Sequence, residues 1–151
     1  MNSNTEIGRR FQLRSRQALT RLLQVPFEME VHLPIGNPPK NHPFDLVSAD
    51  KMYVGEAKAF TWTISGNTPS AKITTLREAA QYLHALPPGT KTLIVMEHSP
   101  NPRTGETLAH YFARLNGHLL GQTAILERAR PGRRVPNEQG APRYRGVDPG
   151  H

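Results

Sequence analysis

Four consecutive apolar residues, Leu93-Ile94-Val95-Met96, constrain the fold of this chain more than any other feature. They lie between turn signals, the first of which is Pro87-Pro88-Gly89. A short apolar run with no polar alternation is typical of a strand that is covered on both faces. The run therefore predicts a layered α/β fold, in which helices flank a sheet.

Helical spacing of apolar residues recurs in three segments. It predicts helices over 6–24, from Thr75 onward, and over about 105–117. Thr75 is followed three residues later by Glu78, which matches a capping box and sets the expected start of the second helix.

Strand patterns fill most of the space between these helices. Residues 27–33 alternate apolar and polar side chains, which predicts a half-buried strand. Further strands are predicted over 44–47, 52–59 and 123–126. The proline-rich stretch 34–43 is expected to be a loop. The predicted order is α-β-β-β-α-β-α-β, a mixed sheet flanked by helices in one domain over residues 1–130.

Arginine is concentrated at the two ends of the chain. Residues 1–24 hold five Arg and one Glu, residues 128–151 hold six Arg and two acidic residues, and residues 25–127 have a net charge of −1. Arginine at this density suits phosphate binding, because its planar fork meets two oxygens at once. The charge pattern thus favours a nucleic-acid partner. Residues 131–151 lack periodicity and are predicted to be a disordered tail rich in Arg, Gly and Pro.

Several classes of protein are disfavoured by what the sequence lacks. The chain has no cysteine, so a disulfide scaffold, a thiol nucleophile and a cysteine-ligated metal are excluded. No apolar run approaches the ~20 residues that span a bilayer, and no signal peptide is evident. We therefore expect a soluble, cytoplasmic protein with no membrane partner. The glycine-rich nucleotide loops and the serine-hydrolase elbow are also missing.

Two carboxylates and a lysine form the one grouping with an obvious chemical use. Asp45 heads an apolar strand, and Glu56-Ala57-Lys58 lies on the next one. Residues two apart on a strand point to the same side, so Glu56 and Lys58 project together, and Asp45 can reach them across a hairpin. Paired carboxylates suit Mg²⁺, which prefers oxygen ligands and keeps several waters. A lysine there can orient a water or stabilise developing negative charge.

At these three positions the chain resembles the PD-(D/E)XK superfamily of restriction-endonuclease-like nucleases. The resemblance extends in element order over about residues 6–127. It implies an αβββαβ core, Mg²⁺ as cofactor with Mn²⁺ as a substitute, and hydrolysis of phosphodiesters that leaves a 5′-phosphate. It also implies Asp45 and Glu56 as metal ligands, the Ala57 carbonyl as a further ligand and Lys58 as the catalytic lysine. The residue before Asp45 is Phe44, whereas the pattern has proline there.

Members of that superfamily often use an additional acidic residue from the first helix or the first strand. Glu6, Glu28 and Glu30 are the candidates here, and Glu30 is the preferred one.

The leading hypothesis is an Mg²⁺-dependent nuclease, with DNA favoured over RNA as its substrate, that acts as a homodimer or with a partner subunit. Two alternatives stay open: a nucleic-acid-binding module without catalysis, and an adaptor whose basic tail binds an acidic partner. Phosphate contacts are expected from basic residues of both ends and the middle, namely Arg9, Arg10, Arg14, Arg16, Lys72, Arg133 and Arg134.

Overall fold

The computed structural model describes residues 3–129 and 143–145, and for the last three only the backbone. The elements in chain order are α1 Asn4–Leu23, β1 Phe27–Ile35, β2 Lys40–Ser48, β3 Tyr53–Lys58, α2 Ser70–His84, β4 Lys91–Glu97, α3 Leu108–Leu115, α4 Gly117–Leu120, β5 Ala124–Arg128 and β6 Arg143–Arg145.

The strands form one mixed sheet in the order β1-β2-β3-β4-β5-β6. The pairs β1–β2, β2–β3 and β5–β6 are antiparallel, while β3, β4 and β5 run parallel. Parallel neighbours need a crossover, and α2 and the α3–α4 segment provide the two crossovers. The predicted α/β class is therefore confirmed.

Helices cover both faces of the sheet. Phe11 of α1 belongs to a core cluster with Leu93 and Val95, whereas Leu76 of α2 belongs to a second cluster with Ile94 on the opposite face. We call these the α1 face and the α2 face. Successive residues of β4 thus enter different cores, which confirms that this strand is covered on both sides.

The stretch predicted as a loop over 34–43 is a turn only at residues 36–39, and the prediction was wrong for the other residues, which are strand. β1 continues to Ile35 and β2 begins at Lys40, with Pro34 opposite Asn41 and His32 opposite Pro43. Prolines are tolerated on strands that lack a partner on one side. Residues 31–35 and 40–44 form such a two-stranded arm, because the paired register of β2 with β3 covers only Leu46 and Val47.

The buried side chains of the β1–β2 hairpin switch from one face of the sheet to the other at one point. Met29 packs in the α1-face cluster, while Val31 packs against the α2-face cluster. Glu30 between them has φ 55, which reverses the direction of the following side chains. Leu46 and Phe44 of β2 likewise belong to different clusters, on either side of Asp45. The strand over 27–33 is confirmed, but its alternating residues do not share one face.

The second and third helices begin elsewhere than predicted. α2 starts at Ser70, and the Thr75 hydroxyl lies inside the helix, where it donates to the Ala71 carbonyl at 3.1 Å. The capping-box prediction was therefore wrong. The segment predicted as one helix over 105–117 is α3, capped by the Thr107 side chain, followed by the short α4.

Within the segment predicted to be a disordered tail, Arg143–Arg145 pairs with β5 as β6. The other residues from 130 onward lie outside the described part of the chain, as does the remainder of that prediction.

Candidate active site

Strands β2 and β3 separate just beyond their last paired residues, Leu46 and Gly55. Two side chains bridge the gap. The Asp45 backbone N–H donates to Glu56 Oε2 at 2.9 Å, and the Ala57 N–H donates to Asp45 Oδ2 at 2.9 Å. Each carboxylate thus replaces a rung of the backbone ladder, and the two acids are fixed against each other at the opening of the sheet.

Lys58 completes the predicted grouping. Its Nζ lies 3.9 Å from Asp45 Oδ2, and both side chains are partly exposed, at 24% and 20%. Glu56 is 6% exposed and lies on the same side of β3 as Val54, which packs in the α2-face cluster. The structure therefore brings together all three residues that the sequence singled out.

The Ala57 carbonyl also faces the opening between the strands. The N–H and C=O of one strand residue point toward the same neighbouring strand. Since the Ala57 N–H reaches back to Asp45 of β2, its carbonyl projects into the same space. Two carboxylates and one carbonyl oxygen consequently border one opening.

Burial and charge both act on Glu56. Burial of its carboxyl group and then the nearby Asp45 charge raise the Glu56 pKa from 4.5 to about 8. The Asp45 N–H and the Lys58 ammonium oppose that rise. At neutral pH the metal-free protein therefore keeps a proton on Glu56, and a divalent cation would have to displace it.

Gln12 of α1 connects the helix to this opening. Its Nε2 donates to the Asp45 carbonyl at 3.0 Å and to Glu30 Oε1 at 2.9 Å. Glu30 is thus held next to the Asp45 backbone, at the point where both strands change face. Nothing in the sequence pattern marked Gln12, because it lies on the flank of the apolar stripe of α1.

We expect Gln12→Ala to destabilise the protein by about 1 kcal/mol, because the partly buried Asp45 carbonyl loses its donor. Chemical denaturation measures this change. Gln17→Ala removes an exposed glutamine from the same helix and serves as the control. Equal stability of the two variants would contradict a positioning role for Gln12.

The residues present fit a hard divalent cation that keeps waters. Mg²⁺ is usually held by one or two carboxylates together with water, and Asp45, Glu56 and the Ala57 carbonyl supply such a set. Within residues 3–129, no group of three or more His, Asp or Glu side chains is arranged to hold a metal. Glu30 is accordingly not grouped with Asp45 and Glu56, and its role as a ligand stays a prediction.

The arginines of α1 divide between two flanks of the helix. Phe11, Ser15 and Leu19 face inward. Arg9 and Arg16 are three residues before and four residues after Gln12, so they share the flank of α1 from which Gln12 contacts Glu30 and Asp45. The other two α1 arginines of the predicted contact set, Arg10 and Arg14, lie on the opposite flank.

Lys72 lies in the first turn of α2, with its Nζ 5.7 Å from the centre of the Phe60 ring. Phe60 follows Lys58 by two residues, so Lys72 borders the end of β3 on the α2 face. Arg133 and Arg134 lie outside the described residues.

Two aromatic residues near the site have no counterpart in the sequence prediction. His42, in the arm, stacks on Tyr82 of α2, and burial lowers the His42 pKa although the Asp45 charge opposes that effect. His42 was hidden in the stretch interpreted as a loop. Tyr82 follows Gln81 on an exposed helix face and carries no motif of its own.

Comparison with known proteins gives no family for this chain: no family model matches it, and neither a curated protein nor a solved structure matches it significantly. Across residues 3–129, no helix is both long and apolar enough to cross a membrane.

Proposed function

We propose that the protein is a metal-dependent nuclease that hydrolyses phosphodiester bonds, with DNA as the favoured substrate. The observation that carries the proposal is the convergence of Asp45, Glu56 and Lys58 at the opening between β2 and β3. Hydrolysis adds water to phosphorus and breaks the bond to the 3′ oxygen, which leaves a 5′-phosphate and a 3′-hydroxyl. The PD-(D/E)XK resemblance of the same three residues supports DNA.

The residues of the site divide the work between binding and charge stabilisation. Asp45, Glu56 and the Ala57 carbonyl would hold Mg²⁺, or Mn²⁺ in its place. When bound, the cation supplies Lewis-acid activation of the phosphodiester and lowers the pKa of a water. Lys58 is partly exposed beside Asp45, so its ammonium can orient the attacking water and stabilise charge on the phosphate oxygens.

Two arginines on the Gln12 flank of α1 would hold the nucleic-acid backbone near the site in this proposal. Arg9 is exposed and Arg16 is half-buried on this flank. Both would act on phosphate oxygens without regard to sequence.

We expect Arg9→Ala to weaken DNA binding and to reduce the slope of log K against log salt by about 0.9, because one phosphate contact is lost. Arg10→Ala is the matched control, since Arg10 is also exposed but lies on the opposite flank. Titrations at several salt concentrations measure both slopes. Identical salt slopes for the two variants would show that the Gln12 flank of α1 does not contact DNA.

A second candidate function, a nucleic-acid-binding module without catalysis, is favoured by one specific observation. Asp45 and Glu56 each accept a backbone N–H, so both carboxylates have a structural use in closing the gap between the strands. In that case binding would fall steeply with salt and would not respond to Mg²⁺. The third candidate, an adaptor, depends on a tail that lies almost wholly outside the described residues.

The test of the proposed function is cleavage of plasmid, linear and branched DNA with Mg²⁺, Mn²⁺ or EDTA. RNA substrates of matching shape decide between the two nucleic acids. Cleavage that requires the metal supports the nuclease. Retardation of DNA without cleavage under every metal condition supports the binding module. Size-exclusion measurements with and without DNA test the proposed homodimer.

A further inference from the structure

Three aromatic rings contact one another in series from the core to the surface. Phe44 is fully buried, and its ring meets His42 edge-on at 4.8 Å between centroids. His42 in turn stacks on Tyr82 at 3.7 Å with an interplanar angle of 16°. Tyr82 is 41% exposed. We call these three residues the aromatic ladder.

The outer end of the ladder is suited to a further ring. The 3.7 Å spacing between His42 and Tyr82 is close to the ~3.4 Å rise between stacked bases in a nucleic acid. A ring that served only to fill the core would be buried, whereas Tyr82 keeps much of its surface in solvent. The arm that carries His42 has no acidic residue over positions 31–44 and adds Lys40 and His32.

The ladder also begins at the candidate site. Its buried end, Phe44, directly precedes Asp45, and the strand rise of about 3.3 Å per residue places His42 ~10 Å along the chain from Asp45. A nucleic-acid strand that is bound with a phosphate at Asp45 and that runs along the arm would pass the outer ring.

We propose that Tyr82, supported by His42, stacks on an unpaired nucleobase next to the bond that is cleaved. This inference rests on the proposed nuclease function and narrows its substrate class. A base inside a duplex has both faces covered by its neighbours, so the ladder selects nucleic acids with an unpaired base: single strands, flaps, gaps or loops. Stacking of a base on an aromatic side chain strengthens binding and is tolerant of sequence.

The test measures binding in EDTA, so that it does not depend on cleavage. The probe is a single-stranded oligonucleotide that carries 2-aminopurine, whose fluorescence falls when the base stacks. We expect Tyr82→Phe to quench and bind as the unmodified protein does, and Tyr82→Leu to lose the quench and to bind about tenfold more weakly. A duplex of the same sequence should bind all proteins equally. Parallel titrations with DNA and RNA versions of the oligonucleotide show whether the stacked base belongs to DNA or to RNA.

Tyr53→Leu is the matched control, because Tyr53 packs on the α1 face, away from the ladder. Melting temperatures confirm that each variant folds. Unchanged quenching in Tyr82→Leu overturns the ladder. Equal losses of affinity in Tyr82→Leu and Tyr82→Phe also overturn it. So does a Tyr82→Leu variant that loses as much affinity for the duplex as for the single strand. Duplex cleavage with an unaffected Tyr82→Leu would reject the ladder and keep the nuclease. Binding that depends on the Tyr82 ring, without any metal-dependent cleavage, would reject the nuclease and keep the ladder.

Discussion

Asp45→Asn should lower metal-dependent cleavage by about 10³-fold, because it removes one of the two charges that hold the cation and the cation contributes several kcal/mol to the transition state. The amide keeps an oxygen that can accept the Ala57 N–H, so the bridge between β2 and β3 survives. Loss of cleavage in this variant would therefore reflect lost chemistry rather than a lost fold. The rate is measured at saturating Mg²⁺ on the best substrate of the panel.

Asp50→Asn is the matched control for that experiment. Asp50 also accepts hydrogen bonds in the β2–β3 hairpin, from the Ser48 hydroxyl and the Met52 N–H, but it is exposed and lies at the turn. We expect its cleavage rate to stay within a few-fold of the unmodified protein. Similar rates for Asp45→Asn and Asp50→Asn would refute Asp45 as a ligand and favour the binding module.

Glu56→Gln should abolish cleavage and at the same time stabilise the metal-free protein at alkaline pH. The Glu56 pKa is about 8 in the folded chain against 4.5 for an ordinary glutamate, so folding retains a proton that the unfolded chain releases. The stability that depends on this proton is complete below about pH 4.5 and is lost as the pH rises through about 8. Glutamine is neutral at every pH and escapes that loss.

The measurement is a series of melting temperatures from pH 5 to pH 8.5 in EDTA. We expect the Glu56→Gln protein to match the unmodified protein at pH 5 and to melt at least about 5 °C higher at pH 8.5. Glu28→Gln, at an exposed position of β1, reports the effect of removing one charge alone. A difference that does not grow with pH would contradict the buried, proton-holding carboxyl.

Addition of Mg²⁺ at pH 8.5 should raise the melting temperature of the unmodified protein above that of Glu56→Gln. A ligand that binds only the folded state raises its stability, and this ligand requires Glu56 to be ionised. Magnesium should therefore raise the melting temperature of the unmodified protein more at pH 8.5 than at pH 6, and should leave Glu56→Gln unaffected. If Mg²⁺ stabilises both proteins alike, Glu56 is not a ligand.

The local sequence was sufficient to predict those elements whose residue pattern follows directly from which faces of a strand are buried. Leu93–Met96 indicated a strand covered on both sides, because four consecutive apolar side chains must enter two different cores. The spacing of Asp45, Glu56 and Lys58 on neighbouring strands predicted their convergence, since a hairpin and a period of two fix which side chains can meet. These inferences depend on short-range geometry, which the residues themselves encode.

Predictions from the sequence were wrong where contacts with distant residues decide the local structure. The prolines of residues 34–43 indicated a loop, but Pro34 lies on the edge strand β1 and Pro43 lies on β2 where β3 has already diverged, so the arm tolerates both. Thr75 and Glu78 matched a cap, yet α2 begins five residues earlier, where Ile73 can join the α2-face cluster. In both cases long-range packing outweighed a local preference.

By itself, therefore, the sequence determined the layered α/β class and the convergence of Asp45, Glu56 and Lys58, because burial patterns and strand alternation are local properties. Only the tertiary structure decided that Gln12 ties Glu30 to the Asp45 backbone, that Glu56 is buried enough to hold a proton at neutral pH, and that His42 stacks on Tyr82. The contacts of Gln12 and His42 join residues 18 to 40 positions apart in the chain. They exist only once helix, arm and sheet have packed together, since nothing in the neighbouring residues specifies which distant side chain each will meet.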